Sequence, residues 1–200
     1  MARTLVERLF RSRRLYKGRS VDFHADVIRL PNGRRAVREY LVHPGAAAVV
    51  PFASGGKVVL VKQFRFPIRR TTYEIPAGKL DGRESPLSCI RRELREETGY
   101  SAGRISRLLS FWPAPAFSDE TLHIYVAKDL KPGSHCLDED EFLEVVEVPF
   151  RTALAWIDSG KIRDSKTIIG LQACALNGAG AKRRRSRRSR RSRRSRGRAP

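Results

Sequence analysis

Glu93, Glu96 and Glu97 fall at i, i+3 and i+4, a spacing that puts three carboxylates on one face if the segment is helical. The flanking residues predict that helix. Ser85 suits the N-cap and Pro86 the first turn, where no N–H is needed. Gly99 suits the left-handed residue that ends a helix, so the helix should run from about Pro86 to Thr98. Leu87, Ile90 and Leu94 then form a buried stripe. Three close carboxylates repel one another and need cations. Hard oxygen donors at this density suit Mg2+ or Mn2+, with phosphate oxygens of a substrate completing the shell. The plainer alternative is a solvated acidic face. Gly78, Glu84, Arg92 and Gly99 weigh against it, because Arg92 and Glu84 are spaced to pair and to hold the preceding loop against the helix.

Two hundred residues suffice for one good-sized domain with a small subdomain. The formal charge is +20, unevenly placed. Residues 182–198 carry one Lys and eleven Arg with no acid, and without them the chain carries +8. The tail over 178–200 is built on Arg-Arg-Ser triplets, cannot bury apolar area and is expected to be disordered. Arg183–Arg198 suits weak binding of nucleic acid or another polyanion, and its serines could be phosphorylated, which would reduce the charge. Cys89, Cys136 and Cys174 show neither zinc spacing nor a disulfide framework, which fits a reducing cytoplasm. No apolar run is long enough for a membrane span. Met1–Arg19 is basic enough to mimic a transit peptide, though Glu7 and the lack of a long apolar stripe argue against one.

The elements that must position the glutamates are strand-rich. Val21–Leu30 and Ala36–Val42 flank Asn32-Gly33, a strong hairpin signal. Ala46–Ala53 and Lys57–Phe64 flank Ser54-Gly55-Gly56 and read as a second hairpin. Thr72–Ile75, Ile105–Trp112, Thr121–Ala127 and Phe142–Val148 read as strands. Leu137–Glu141 reads as an acidic loop, and Pro113–Glu120 as a turn-rich one. Arg151–Ser159 reads as a helix, and Asp164 or Ser165 caps a last helix to about Leu176. The order predicts an α/β fold with a mixed sheet between helices.

The stretch Gly78–Tyr100 matches, at every fixed position, the pattern G-x5-E-x7-R-E-U-x-E-E-x-G-U of the Nudix hydrolases, which it therefore resembles. Seven identities at residue frequencies near ~7% arise by chance roughly once in 10^8 windows. Most of residues 15–177 further resembles the ADP-ribose pyrophosphatase branch. The likeness rests on Leu15-Tyr16-Lys17-Gly18-Arg19, Arg29–Gly33, His43-Pro44-Gly45-Ala46, Val61–Pro67, Glu74–Gly78, Pro113–Glu120 and Ile162–Thr167. The resemblance implies an α/β/α sandwich over residues 46–177 and an N-terminal antiparallel β subdomain over 1–45. It also implies a homodimer in which that subdomain reaches the partner's active site.

It implies a reaction as well: metal-dependent hydrolysis of a nucleoside diphosphate derivative, with ADP-ribose giving AMP and ribose 5-phosphate. On that reading Glu93, Glu96, Glu97 and the main-chain carbonyl of Ala77 hold the metal, and Glu96 and Glu97 also serve catalysis. Glu141, or alternatively Glu139, orients the water. Gln63, Arg65, Arg70, Glu74 and Pro115 line the substrate cleft, with Glu74 bonding a base edge. Phe23 and Tyr16 could stack on the base, but core packing is the preferred reading for both, as it is for Trp112 and Trp156. His43 reads as a structural turn residue. Many relatives have glycine after the proline of the loop, where this chain has Ala116; a positive φ there would strain it. The alternatives are hydrolysis of a nucleotide sugar such as GDP-mannose or of an oxidised nucleotide, or an RNA- or nucleotide-binding module guided by the tail.

Overall fold

A computed structural model describes residues 4–19, 21–134 and 142–178. The described residues form two sheets and three α-helices. The first sheet contains β1 (Arg8–Arg11), β2 (Arg14–Lys17), β3 (Asp22–Arg29) and β4 (Arg35–Val42). β1 and β2 pair with opposite ends of β3 along one side, and β4 pairs with its whole length along the other, all antiparallel. The expected Asn32-Gly33 turn closes the β3–β4 hairpin, with Gly33 at φ 84°. The basic N-terminal segment contains β1 and β2. Each has only four residues, all exposed, so neither shows the half-buried alternation that marks a strand in sequence.

The second sheet has seven strands: β5 (Ala46–Ala53), β6 (Lys57–Arg65), β7 (Arg70–Glu74), β8 (Ala77–Lys79), β9 (Tyr100–Phe111), β10 (Leu122–Pro132) and β11 (Leu143–Pro149). Its main path runs β11-β6-β5-β10-β9, with β7 added to β6 and β8 to β5. The β5–β10 pair is parallel and the others are antiparallel, giving the expected mixed sheet.

β5 is apolar on both faces because both are covered. Ala46, Ala48 and Val50 point into the core beneath α2 (Phe150–Asp158) and α3 (Ser165–Leu176). Ala47 and Val49 point into a second core with Cys89, Ile90 and Leu94 of α1 (Pro86–Thr98). Three layers result, with α1 on one face of the sheet and α2 and α3 on the other. The two sheets are joined through the 113–120 loop. Leu41 N–H donates to the Phe117 carbonyl at 2.8 Å, and His43 N–H to Asp119 Oδ1 at 2.8 Å. Among the described residues no helix is long and apolar enough to cross a membrane.

Candidate active site

α1 begins and ends where its caps dictate. Ser85 Oγ accepts from the Ser88 N–H at 3.1 Å, and Gly99 closes the C-terminus at φ 72° with its N–H on the Arg95 carbonyl at 2.8 Å. Ile90 and Leu94 are fully buried and Leu87 partly so, as the stripe requires. Cys89 is a buried free thiol facing the Gly78 and Lys79 carbonyls at 3.6 and 3.4 Å. Burial, with Glu93 and Glu84 nearby, pushes its pKa up to about 12, so it stays protonated.

Arg92 meets Glu84 as the spacing predicts, Nε to Oε1 at 3.3 Å and Nη2 to Oε2 at 3.1 Å. This pairing holds the Glu84 carboxyl below its ordinary range. The guanidinium does more than the sequence indicated. Its Nη1 also donates to Glu93 Oε1 at 2.7 Å and to Glu96 Oε2 at 3.0 Å. One cation thus neutralises part of a carboxylate array that would otherwise repel itself.

Glu93 and Glu97 are buried at 9% and 5% exposure, while Glu96 is half-buried. Glu97 Oε2 accepts from the Ala77 N–H at 3.1 Å, which ties the helix to the strand that carries the predicted carbonyl donor. The Glu93 carboxylate fills the space beside Gly78: a Cβ there would lie 1.6 Å from Oε1. Among the described residues no three His, Cys, Asp or Glu side chains form a ready-made metal cage. Arg92, between Glu93 and Glu96, occupies part of that role. The donor set nevertheless fits a hard divalent cation, since it offers carboxylate oxygens packed against a glycine-bared backbone.

The β6–β7 register assembles the other predicted residues. Gln63 stands opposite Thr72, Arg65 opposite Arg70, and Val61 opposite Glu74. Paired residues share a face, and so do residues two apart, so Gln63, Arg65, Arg70 and Glu74 lie on one side of this hairpin. Glu74 is 2% exposed and its oxygens are taken. Arg65 grips it with Nε and Nη2 at 2.9 and 2.8 Å, Thr72 Oγ1 donates at 2.6 Å, and the Lys166 ammonium contacts Oε2. Burial opposes ionisation of Glu74, but Arg65, Lys166 and Thr72 outweigh it and hold the pKa at about 2. These contacts let Glu74 orient Arg65.

No local sequence signal marks Lys166 as a site residue. Its side chain is 12% exposed and bridges Glu74 and Asp164, at 3.0 Å from Asp164 Oδ1. Asp164 caps α3 through the Thr167 N–H at 3.0 Å, and Thr167 Oγ1 in turn accepts from the Ile75 N–H at 2.9 Å. The first turn of α3 is thereby fastened to the short connection between β7 and β8 that leads from Glu74 to Ala77. The Ile162–Thr167 segment was the only sequence trace of this link.

Pro115 is exposed, and the hydrogen bonds leaving its loop run to β4 rather than to α1. Ala116 has no positive φ; among the described non-glycine residues only Arg69 and Asp129 do. His43 is the turn residue expected, its Nδ1 accepting from the Gly45 N–H at 3.1 Å. Trp112 and Tyr16, read as core, are 67% and 60% exposed, because one heads the loop after β9 and the other lies on the short exposed strand β2. Phe23 is half-buried on β3. Trp156 does pack on the core, its ring 4.8 Å from that of Tyr73. Glu139 and Glu141 lie outside the described residues, as do Cys136 and residues 179–200 of the tail.

Comparison with known proteins bears on the family and the fold. The chain is 40% identical to the ADP-ribose pyrophosphatase of Bacillus subtilis (strain 168) over 88% of its own length and 97% of that protein's. It is 41% identical to the methanol dehydrogenase activator of Bacillus methanolicus, over 90% and 98% of the two chains. A crystal structure of an ADP compounds hydrolase superposes with a TM-score of 0.79, covering 90% of this chain and 98% of that one at 22% identity, which speaks to the fold. The NUDIX domain profile matches residues 42–168, from the end of β4 into α3. The α/β/α sandwich and the glutamate-bearing helix are therefore those of a Nudix hydrolase, and the chain belongs to the NUDIX domain family.

Proposed function

We propose that this enzyme hydrolyses the pyrophosphate of ADP-ribose, giving AMP and ribose 5-phosphate. The observation that carries the reading is the meeting of two arrays. The Glu93, Glu96 and Glu97 face of α1 and the Gln63, Arg65, Arg70 and Glu74 face of β6–β7 are joined by the short run from Glu74 to Ala77. The similarity to an ADP-ribose pyrophosphatase over nearly its whole length supports the same substrate.

Arg65 and Arg70 suit the phosphates, since a guanidinium fork matches phosphate oxygens. Glu74 and Lys166 keep Arg65 in register. Glu93, Glu96, Glu97 and the Ala77 carbonyl would hold Mg2+, with Mn2+ as a substitute. A bound divalent cation would supply charge neutralisation at the pyrophosphate. Glu141, with Glu139 as the alternative, is the proposed carboxylate that orients water in line with the scissile P–O bond.

Leu9 of β1 and Leu15 of β2 are exposed apolar residues on the first sheet, and they support a homodimer built through that subdomain. The buried free thiols of Cys89 and Cys174 suit a cytoplasmic setting. The Arg-rich tail adds non-specific affinity for polyanions.

The test offers ADP-ribose, GDP-mannose, NADH and a nucleoside triphosphate at equal concentration, with and without Mg2+, and separates the products by ion exchange. Metal-dependent AMP from ADP-ribose, ahead of the others and lost in Glu97→Gln, is the expected result. Faster turnover of GDP-mannose would keep the mechanism and replace the substrate. Silence on all four would sink the hydrolase reading.

A further inference from the structure

The two faces of the first sheet treat their basic residues differently. On one face, Arg14 and Lys17 meet Asp22 at 3.0 Å each, and Arg38 pairs with Glu7. On the other face, Arg8 of β1 stands directly opposite Arg29 of β3, and Arg29 directly opposite Arg35 of β4. Arg11, opposite Val27, lies on that same face two residues along β3. Three arginines thus form a row across three adjacent strands, with a fourth beside it.

Like charges directly opposite in a sheet destabilise it. Neighbouring strands are only ~4.8 Å apart, so this row concentrates positive charge in a short line. Among the described residues, no carboxylate lies within ion-pair distance of Arg8, Arg11, Arg29 or Arg35. Glu39, the acid on this face, is four residues beyond Arg35 and is not paired with it. The order in the row comes from Phe10, whose ring reaches across β3. Arg35 Cζ stacks 3.7 Å from the ring centroid and Arg29 Cζ lies at 5.9 Å. Stacking holds a guanidinium plane by its face and leaves its N–H edge for an acceptor. The face therefore holds an ordered line of cations that lacks its anions.

We propose that this face of the first sheet binds the phosphate backbone of a single-stranded nucleic acid. A line of forked cations matches a line of phosphates, and each contact releases counterions. Phe10 is still 46% exposed, and offers an apolar surface that a nucleobase can use and an inorganic anion cannot. The row lies on β1, β3 and β4 and the glutamates on α1, so the proposal does not depend on the substrate assigned to the cleft. It is held on a paired strand framework.

The experiment measures binding of a fluorescently labelled oligouridine to the full chain by anisotropy across a salt series. Three proteins are compared: the unaltered chain, Arg29→Thr/Arg35→Thr, and a chain lacking residues 182–200. Both positions are exposed and threonine suits strands, so the sheet should stay folded, with a thermal midpoint unchanged or raised by the relieved repulsion. The double variant should bind more weakly, and the magnitude of the slope of log K against log salt should fall by about 1.4. The tail deletion should retain binding that remains sensitive to the same double substitution. An unchanged affinity and slope in the double variant would overturn the proposal, as would loss of all binding with the tail. A change in sedimentation with unaltered RNA binding would also overturn it, by making the row a contact between copies of the chain. Turnover of ADP-ribose should be equal in all three.

Discussion

The Glu93 carboxylate occupies the space in which residue 78 would carry a side chain. A Cβ at Gly78 would fall 1.6 Å from Oε1 and 2.1 Å from Cδ. The glycine at the head of the motif is thus explained by close approach, since the backbone before the helix must be bare for this glutamate to lie against it. Gly78→Ala should push Glu93 out of position. A misplacement of about 1 Å at a catalytic centre costs about 10^2-fold, and kcat/KM should fall by at least that much. The cause can be separated from general misfolding with a double-mutant cycle. In a Glu93→Ala background, where the carboxylate is gone, Gly78→Ala should cost little stability. Equal destabilisation in both backgrounds would show that the glycine serves some other contact.

Arg92 should matter most when no metal is present. It reaches Glu84, Glu93 and Glu96, so its removal leaves three carboxylates with one cation fewer. Arg92→Ala should lose ~1–2 kcal/mol in metal-free buffer, a modest figure because the side chain is partly open to solvent. Added Mg2+ should then raise the thermal midpoint of the variant more than that of the unaltered protein. Equal metal shifts in the two proteins would mean that Arg92 and the cation do not share the same charges.

The sequence made the helix legible and left its environment obscure. Ser85, Pro86 and Gly99 announce α1 through local rules, and the observed bounds match the expected ones. β3, β4 and β5 were equally visible, because alternation or a doubly buried apolar run marks them. β1, β2 and β8 carry no strand signal in the sequence. Each has three or four residues with no alternation to read, and each exists through its pairing with β3 or β5. Among the site residues, spacing within α1 was readable because i, i+3 and i+4 have a fixed geometry. Lys166 was hidden for the opposite reason. It lies 92 residues from Glu74, and nothing local marks a lysine at the first turn of a helix as the partner of a buried carboxylate.

Glu74 should give the stability of the protein an acid limb. Its carboxyl titrates at about 2 in the folded state, against an ordinary value of 4.5. A lowered pKa means that the ionised form is favoured by folding. Its contribution is therefore complete above pH 4.5 and is lost as the pH falls toward 2. The amount is on the order of 3 kcal/mol. Urea midpoints measured at intervals between pH 2 and 7 should fall steeply in that window. Glu74→Gln should flatten this part of the profile, and a Gln variant that keeps the full acid limb would assign the limb to other carboxylates.

Lys166 should act on substrate binding through Glu74 and Arg65. Lys166→Met removes the ammonium that contacts Glu74 and frees the fork of Arg65 to move. The KM for ADP-ribose should rise about tenfold with a smaller change in kcat, the pattern of lost uniform binding. Lys166→Arg keeps the charge and should recover most of the loss. The Glu74 limb of the stability profile should also shift upward in pH in the Met variant and return in the Arg variant. A fall in kcat alone, unrelieved by arginine, would place Lys166 in the chemistry rather than behind it.

Ala116 should prove to be an ordinary residue for its position. The Phe117 and Ser118 N–H groups both turn back to the Ala114 carbonyl, at 3.1 and 3.0 Å, and the turn closes with no left-handed residue at 116. Introducing the glycine common in related loops therefore relieves no strain. It adds freedom to the unfolded chain, and Ala116→Gly should destabilise the protein by about 0.4–1 kcal/mol. Turnover of ADP-ribose should not improve. A substantial gain in kcat/KM with glycine would mean that the loop must pass through a positive φ when substrate binds, and that alanine restrains it there.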